Sequence, residues 1–184
     1  LRKNGHTVTG VDVEEVDGVR DEVDEFVQRN LDEGLGDAVQ GPFDVVIAAD
    51  VLEHVRDPEL LLRDARRVLA PDGVVLACVP NFGHWYPRLR VASGTFAYER
   101  RGILDAGHVR FFTRRTFTKL VRRAGFTTVR RRSLGVPFEV FGRGGRGGRR
   151  RLARVLGSID RAAVVVWPTL FAYQFLVELR PASS

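Results

Sequence analysis

Three histidines and a set of acids at the ends of apolar runs hold the chemistry legible in this chain. His54 follows Glu53 in ADVLEH, His84 sits in NFGHW, and His108 precedes VRFF. Imidazole titrates near neutral pH, so each can take a proton from a reacting hydroxyl. His84 and His108 are the favoured pair for that work, as base or as acceptor-orienting group. The plainer alternative is a loop histidine that only makes structural hydrogen bonds. Asp12 stands one residue before the end of TVTGVDV, and Asp50 follows the run VVIAA, which closes at Ala49. A carboxylate at the end of a parallel strand can accept hydrogen bonds from both hydroxyls of a ribose. Trp85, Tyr86, Phe96 and Tyr98 can wall a ring-bearing ligand or simply bury a long loop. No metal ion is expected at these positions.

The elements that must position these residues follow from the pattern. Residues 7–13 read as a strand, with a short edge strand at 26–28 and a polar loop over 29–42. The unbroken apolar run 45–49 suits a parallel strand covered on both faces. Asp57 caps a helix, Pro58 fits its first position, and Glu59 favours the positive end of its dipole. Leu61, Leu62, Ala65, Val68 and Leu69 give that helix a sheet-facing stripe. Pro71-Asp72-Gly73 turns the chain into a strand over 74–79. A long irregular stretch, 80–112, follows; a loop of that length in a compact domain is usually functional. Thr113 opens a helix that runs to about Ala124, and a strand follows Gly125. The run RGGRGGRRR, from Arg143 to Arg151, is basic and of low complexity. Leu152, Val155, Leu156 and Ile159 then recur at helical spacing. Their helix is expected to pack on the sheet, with an interfacial membrane position as the alternative. Pro168 and an apolar strand close the chain. Alternating strands and helices predict an α/β fold: a doubly wound, mainly parallel sheet with helices on both faces. Ligands in such sheets sit beyond the carboxyl ends of the strands.

The bulk composition suits one domain over 1–184, since 44% of the 184 residues are apolar. No apolar run approaches a membrane span. The single cysteine, Cys78, lies in a predicted strand and reads as a small core hydrophobe, so a reducing cytoplasm is the default. Net charge is +6 and the pI is about 10.3. Acids concentrate over 12–59 and arginines over 100–154, an asymmetry that suits a polyanionic partner or an anionic membrane surface. The chain opens on LRKNGH, which reads as the last turn of a helix with Gly5 as its C-cap. The domain is therefore expected to start upstream of residue 1.

The segments VTGVDVEE, FDVVIAADVLEHVRDP, RVLAPDGVVL and VPN, in that order and spacing, resemble a class I S-adenosylmethionine-dependent methyltransferase. The stretch 94–113, GTFAYERRGILDAGHVRFFT, is similar to a bacterial subgroup often encoded among genes for glycan or cell-envelope biosynthesis. The resemblance implies a Rossmann-like fold with seven strands, the last antiparallel, and S-adenosyl-L-methionine as cofactor. It places Asp12 on the ribose and Val13 beside the adenine. The adenine amino group falls to Asn30-Leu31-Asp32: Asn30 or Asp32 accepts it, the register being open, and Leu31 offers a backbone amide. Ala49 and Asp50 line the methionine part, with His54 on the same side. Glu53 and His54 can equally serve to orient the loop. The resemblance also implies a central first strand and Gly-rich turn between the strands 7–13 and 45–49. Neither is in this chain, which is therefore expected to be N-terminally truncated, with two strand edges open.

Methyl transfer mainly requires alignment of the acceptor with the sulfonium methyl. A hydroxyl acceptor also needs a base, which favours O-methylation of a small molecule or glycan. The arginines from Arg143 to Arg151 could grip a diphosphate- or lipid-linked acceptor, or an anionic membrane, or form a solvated loop. Location is then cytoplasmic, with the inner membrane face as an alternative. Nucleic acid is the weaker partner: Ala49-Asp50-Val51-Leu52 lacks an Asn-Pro-Pro-Tyr-like motif, and aromatics do not interleave with basic residues. A non-catalytic relic of the fold is the remaining alternative. Fold alone does not choose the acceptor atom.

Overall fold

The computed structural model describes residues 1–137 and 148–182. Strand β1 (Thr9–Asp12) pairs in parallel with β2 (Glu25–Gln28), through the short helix α1 (Val19–Glu22). A separate four-stranded sheet has the order β3-β4-β6-β5. In it β3 (Phe43–Ala49) lies parallel to β4 (Leu69–Pro80). The last strand, β6 (Gln174–Pro181), is antiparallel to both β4 and β5 (Phe126–Leu134). The architecture is thus mainly parallel, with an antiparallel last strand.

Helix α2 (Pro58–Val68) connects β3 to β4 and begins as the sequence dictates. The Asp57 carboxylate accepts the backbone N–H groups of Glu59 and Leu60 at 3.1 and 3.0 Å. Leu61, Leu62, Ala65 and Val68 are buried against the sheet. The turn expected at Pro71-Asp72-Gly73 is instead a bulge within β4. Leu69 stands opposite Phe43 and Val74 opposite Val45, so the intervening residues loop out of register. A Cβ at Gly73 would meet the Phe43 carbonyl oxygen at 2.8 Å, which explains the glycine. The core forms around β4 and β6: Val75, Val79, Val177, Leu179, Phe117 and Phe126 are each at most 1% exposed.

Strand β3 departs from expectation. Val45 and Ile47 are 46% and 51% exposed, so the run is not covered on both faces. The reason is the open slot between the two sheets, lined by Thr9 and Val11 from β1 and by Val45, Val46 and Ile47 from β3. Among the described residues no strand pairs with these facing edges.

The stretch 80–112 is also not irregular throughout. Helix α3 (Trp85–Ala92) lies within it, capped by His84. Pro87 is tolerated because first-turn amides have no intrahelical acceptor. The remainder is a strap that runs back over the sheet end. Its Val109 and Arg110 N–H groups donate to the Glu53 carbonyl at 2.9 and 3.0 Å. Helix α4 (Arg114–Arg123) follows, with Thr113 and Thr116 satisfying each other's backbone amides at its start.

The expectation for the last long helix is corrected. Helix α5 (Gly148–Val166) turns Gly157 and Val164 inward, and Asp160 accepts the Val136 N–H at 3.0 Å. Val155, Leu156 and Ile159 are instead 52%, 39% and 61% exposed, so they do not pack on the sheet. The partly buried hydrogen bond of Asp160 and the small, buried Gly157 set the helix orientation against the apolar stripe. Of the basic run from Arg143 to Arg151, residues up to 147 lie outside the described ones, as does the Leu152 side chain. The short helix α6 (Pro168–Phe171) leads into β6.

Candidate active site

The site forms where the strands end. Asp12 closes β1, and its carboxylate accepts the Glu14 N–H at 3.2 Å. The Asp12 carbonyl accepts the Arg29 N–H at 2.8 Å, which joins the ends of β1 and β2. Val13 is exposed, and the Gln28 side chain donates to its carbonyl at 3.0 Å. Asn30 caps a single 3-10 turn, Leu31–Glu33, by accepting the Asp32 N–H at 3.0 Å. Leu31 packs against the main core. Asp32 reaches across to the loop after β3: it accepts the Arg56 N–H at 2.7 Å and lies 3.3 Å from the Arg56 guanidinium. Both Asn30 and Asp32 therefore already hold backbone donors.

Ala49 ends β3, and Asp50 follows at φ 53°, a left-handed conformation unusual for a residue with a Cβ. Backbone strain of this kind concentrates at functional sites. The Asp50 N–H donates to the Cys78 carbonyl at 3.2 Å, and the Gln174 side chain donates to the Asp50 carboxylate at 2.8 Å. Glu53 is 1% exposed, and neither of its carboxylate oxygens has a hydrogen-bond partner among the described residues. Burial, with the Asp50 charge adding to it, pushes the Glu53 carboxyl up to about 7. Burial likewise raises the Cys78 thiol to about 12, so it is inert, as a core hydrophobe should be.

His54 is exposed and its Nδ1 donates to the Gly107 carbonyl at 3.0 Å. His108 is 9% exposed and its Nδ1 contacts the Ile103 carbonyl at 3.2 Å. The two rings meet edge to face with centroids 4.8 Å apart. Burial lowers the His108 pKa, partly offset by the Ile103 carbonyl. The structure thus brings His54 and His108 together with Glu53. His84 sits elsewhere, in the turn after β4, and its ring neighbours are Trp85 and Tyr173 at 5.4 and 6.0 Å. It is 2% exposed, and its Nδ1 accepts the Tyr86 N–H at 3.3 Å. Burial depresses it to about 4, the Phe171 backbone working the other way. At that value it is a weak base at neutral pH.

Two residues that sequence reasoning passed over organise this end of the sheet. Asn81 is fully buried; its side chain donates to the Thr169 and Ala172 carbonyls at 3.3 and 2.7 Å and accepts the Gly83 N–H at 2.9 Å. An asparagine directly after an apolar strand was the available signal. Tyr173 packs on His84, and its hydroxyl lies so close to Gly102 that a Cβ there would approach it to 2.6 Å. Nothing local in the sequence marks that contact. Of the aromatic wall, Trp85, Phe96 and Tyr98 are exposed; Phe96 and Tyr98 pair with ring centroids 5.4 Å apart.

This fold is that of known methyltransferases. A S-adenosylmethionine-dependent methyltransferase from Archaeoglobus fulgidus superposes with a TM-score of 0.61 at 16% identity, covering 97% of this chain and 77% of that one. A second solved structure, a 1,6-didemethyltoxoflavin-N1-methyltransferase from Burkholderia thailandensis with bound S-adenosylhomocysteine, gives a TM-score of 0.58 at 19% identity, covering 99% and 64%. In sequence, a ubiquinone biosynthesis O-methyltransferase of Caulobacter sp. (strain K31) is 34% identical over 89 residues, 44% of this chain. The match covers 35% of that relative's length.

Residues 1–131 match the family model described as a methyltransferase domain. The chain belongs to that family, within the class I S-adenosylmethionine-dependent methyltransferases.

Proposed function

We propose that this chain is a single methyltransferase domain that uses S-adenosyl-L-methionine to methylate a hydroxyl of a small-molecule acceptor. The observation that supports this reading best is the joining of three strand ends. Arg29 binds the carbonyl of Asp12, and Asp32 binds Arg56, so the loops after β1, β2 and β3 are tied together, and Val11, Leu31 and Val51 from these elements line one crevice, the slot between the sheets. In that crevice Asp12 takes the ribose hydroxyls and Val13 flanks the adenine. The 3-10 turn of Asn30, Leu31 and Asp32 meets the adenine edge, and Ala49, Asp50 and His54 line the methionine part. Relatives that bind S-adenosylhomocysteine or act in ubiquinone O-methylation support the cofactor and an oxygen acceptor. His108 is the better base of the two favoured histidines, because it lies with His54 and Glu53 beside the crevice. His84, neutral and capping α3, serves to hold the acceptor side.

A glycan or lipid-linked acceptor at the cytoplasmic membrane face is the finer form of this reading. The exposed Val155, Leu156 and Ile159, with Arg151 and Arg154 on the same helix, support contact with an anionic surface. No helix among the described residues is long and apolar enough to cross a membrane. The open slot between β1 and β3 favours a second reading, a fold retained without turnover. Calorimetric titration with S-adenosylhomocysteine tests the first. Saturable heat with a folded protein is expected. Its absence defeats the cofactor reading, and binding without methyl transfer to any hydroxyl acceptor favours the second.

A further inference from the structure

Three ligand-bearing side chains from two separate segments converge beside the crevice. Glu53 and His54 stand on the loop between β3 and α2, and His108 comes from the strap. One donor atom from each lies within 4.8 Å of the other two. In both imidazoles Nδ1 faces a backbone carbonyl, that of Gly107 for His54 and of Ile103 for His108. A carbonyl oxygen can only accept, so Nδ1 carries the proton and Nε2 keeps its lone pair. Outer partners impose this same tautomer on metal-ligating histidines. Glu53 supplies the anionic donor. Its two oxygens are buried and lack any hydrogen-bond partner among the described residues, with Asp50 adding negative charge beside them. A buried carboxylate in that position is costly unless paired or bound to a cation.

We propose that Glu53, His54 and His108 bind a divalent transition-metal ion, with zinc the best fit. One carboxylate oxygen and the two Nε2 atoms are the ligands. Two imidazoles exclude a preference for magnesium or calcium, which select all-oxygen sites. Two histidines and one glutamate match three-ligand zinc sites that keep a position open for water or an oxygen ligand. Donors in a tetrahedral zinc site stand roughly 3.4 Å apart, so the set contracts on binding. His54 is exposed and supplies that movement, while Glu53 and His108 are held by the core and the strap. The ion would pin the strap to the loop after β3, adding to the Val109 and Arg110 bonds to the Glu53 carbonyl. With the ion bound, His108 Nε2 is a ligand and not a free base, and water at the open position would take over that role. The assignment does not depend on the acceptor or on turnover.

Cobalt titration of the chelator-treated full chain, followed by visible absorption, tests it. Saturable d–d bands of tetrahedral or five-coordinate cobalt are expected, abolished by competing zinc. His54→Asn and His108→Asn each weaken cobalt binding by at least ~10-fold, and Glu53→Gln does likewise. His6→Asn leaves binding unchanged. Circular dichroism confirms that each variant is folded; should Glu53→Gln not fold, the exposed His54→Asn decides. Absence of bands with folded wild-type chain overturns the proposal. Unchanged binding by both histidine variants also overturns it, because the ion then sits elsewhere.

Discussion

The Asp32 carboxylate accepts the Arg56 backbone N–H at 2.7 Å and lies 3.3 Å from the Arg56 guanidinium. This pair ties the two-stranded sheet to the four-stranded one, across edges that no strand joins among the described residues. The backbone bond carries most of the effect, because the Arg56 side chain is 83% exposed and its ion pair is screened. Asp32→Ala should therefore cost about 1–2 kcal/mol, whereas Arg56→Ala should cost less than ~0.5 kcal/mol. Urea denaturation midpoints of the two variants check the order. Equal losses would mean that the ion pair, not the amide bond, holds the loops.

His84 makes stability depend on acid. Its folded value of about 4 lies below the ordinary 6.5, because burial disfavours the cation. The unfolded chain therefore binds the extra proton first. Stability from this group is complete above pH 6.5 and falls as pH drops from there toward 4, by up to about 1.4 kcal/mol per unit. His84→Gln keeps an acceptor for the Tyr86 amide and removes the titration. Denaturant midpoints at pH 7 and pH 5 should fall further for wild type than for the variant. Parallel losses would show that His84 is not buried as described.

Asn81 holds the turn after β4 through three side-chain hydrogen bonds, all to backbone groups. Asn81→Ala leaves those groups unpaired in a fully buried position, and each orphan costs ~1–3 kcal/mol. A loss of about 3 kcal/mol, seen as a large drop in thermal midpoint, is expected. Asn81→Asp restores only the acceptor function and should not recover it. A midpoint shift of a degree or less for Asn81→Ala would contradict the role.

Asp12 offers the opposite separation. Its carboxylate is exposed at the end of β1 and, among the described residues, holds only the Glu14 amide. Asp12→Ala should change stability by less than ~1 kcal/mol yet weaken S-adenosylhomocysteine roughly 10- to 100-fold, as loss of a charged hydrogen-bond acceptor would. Calorimetric titration beside a thermal melt checks both numbers. Unchanged affinity would remove Asp12 from the ribose site.

The local pieces of this protein were legible because short-range physics decides them. Asp57 and Pro58 start α2 by satisfying or lacking first-turn amides, and the apolar runs of β3 and β4 announce strands whatever surrounds them. The ordered motifs from VTGVDVEE to VPN sufficed to mark the family. The expected ligand-facing acids do sit at strand ends, since that position depends only on where each strand stops. Tertiary structure decided the rest. Helix α3 hides behind Pro87 and a weak apolar pattern, and its cap, His84, is buried only because Trp85 and Tyr173 close over it. The stripe of α5 reads as core in one dimension, but Asp160 and Gly157 turn the other face inward. Glu53, His54 and His108 come together only when the strap folds back over the loop after β3. Fifty-three residues separate His54 from its Gly107 acceptor, and no local periodicity encodes a contact at that range. The sequence by itself determined most of the elements, the family and the placing of the acids at strand ends. Packing between distant segments decided which histidines meet, because burial and carbonyl partners exist only in the folded chain.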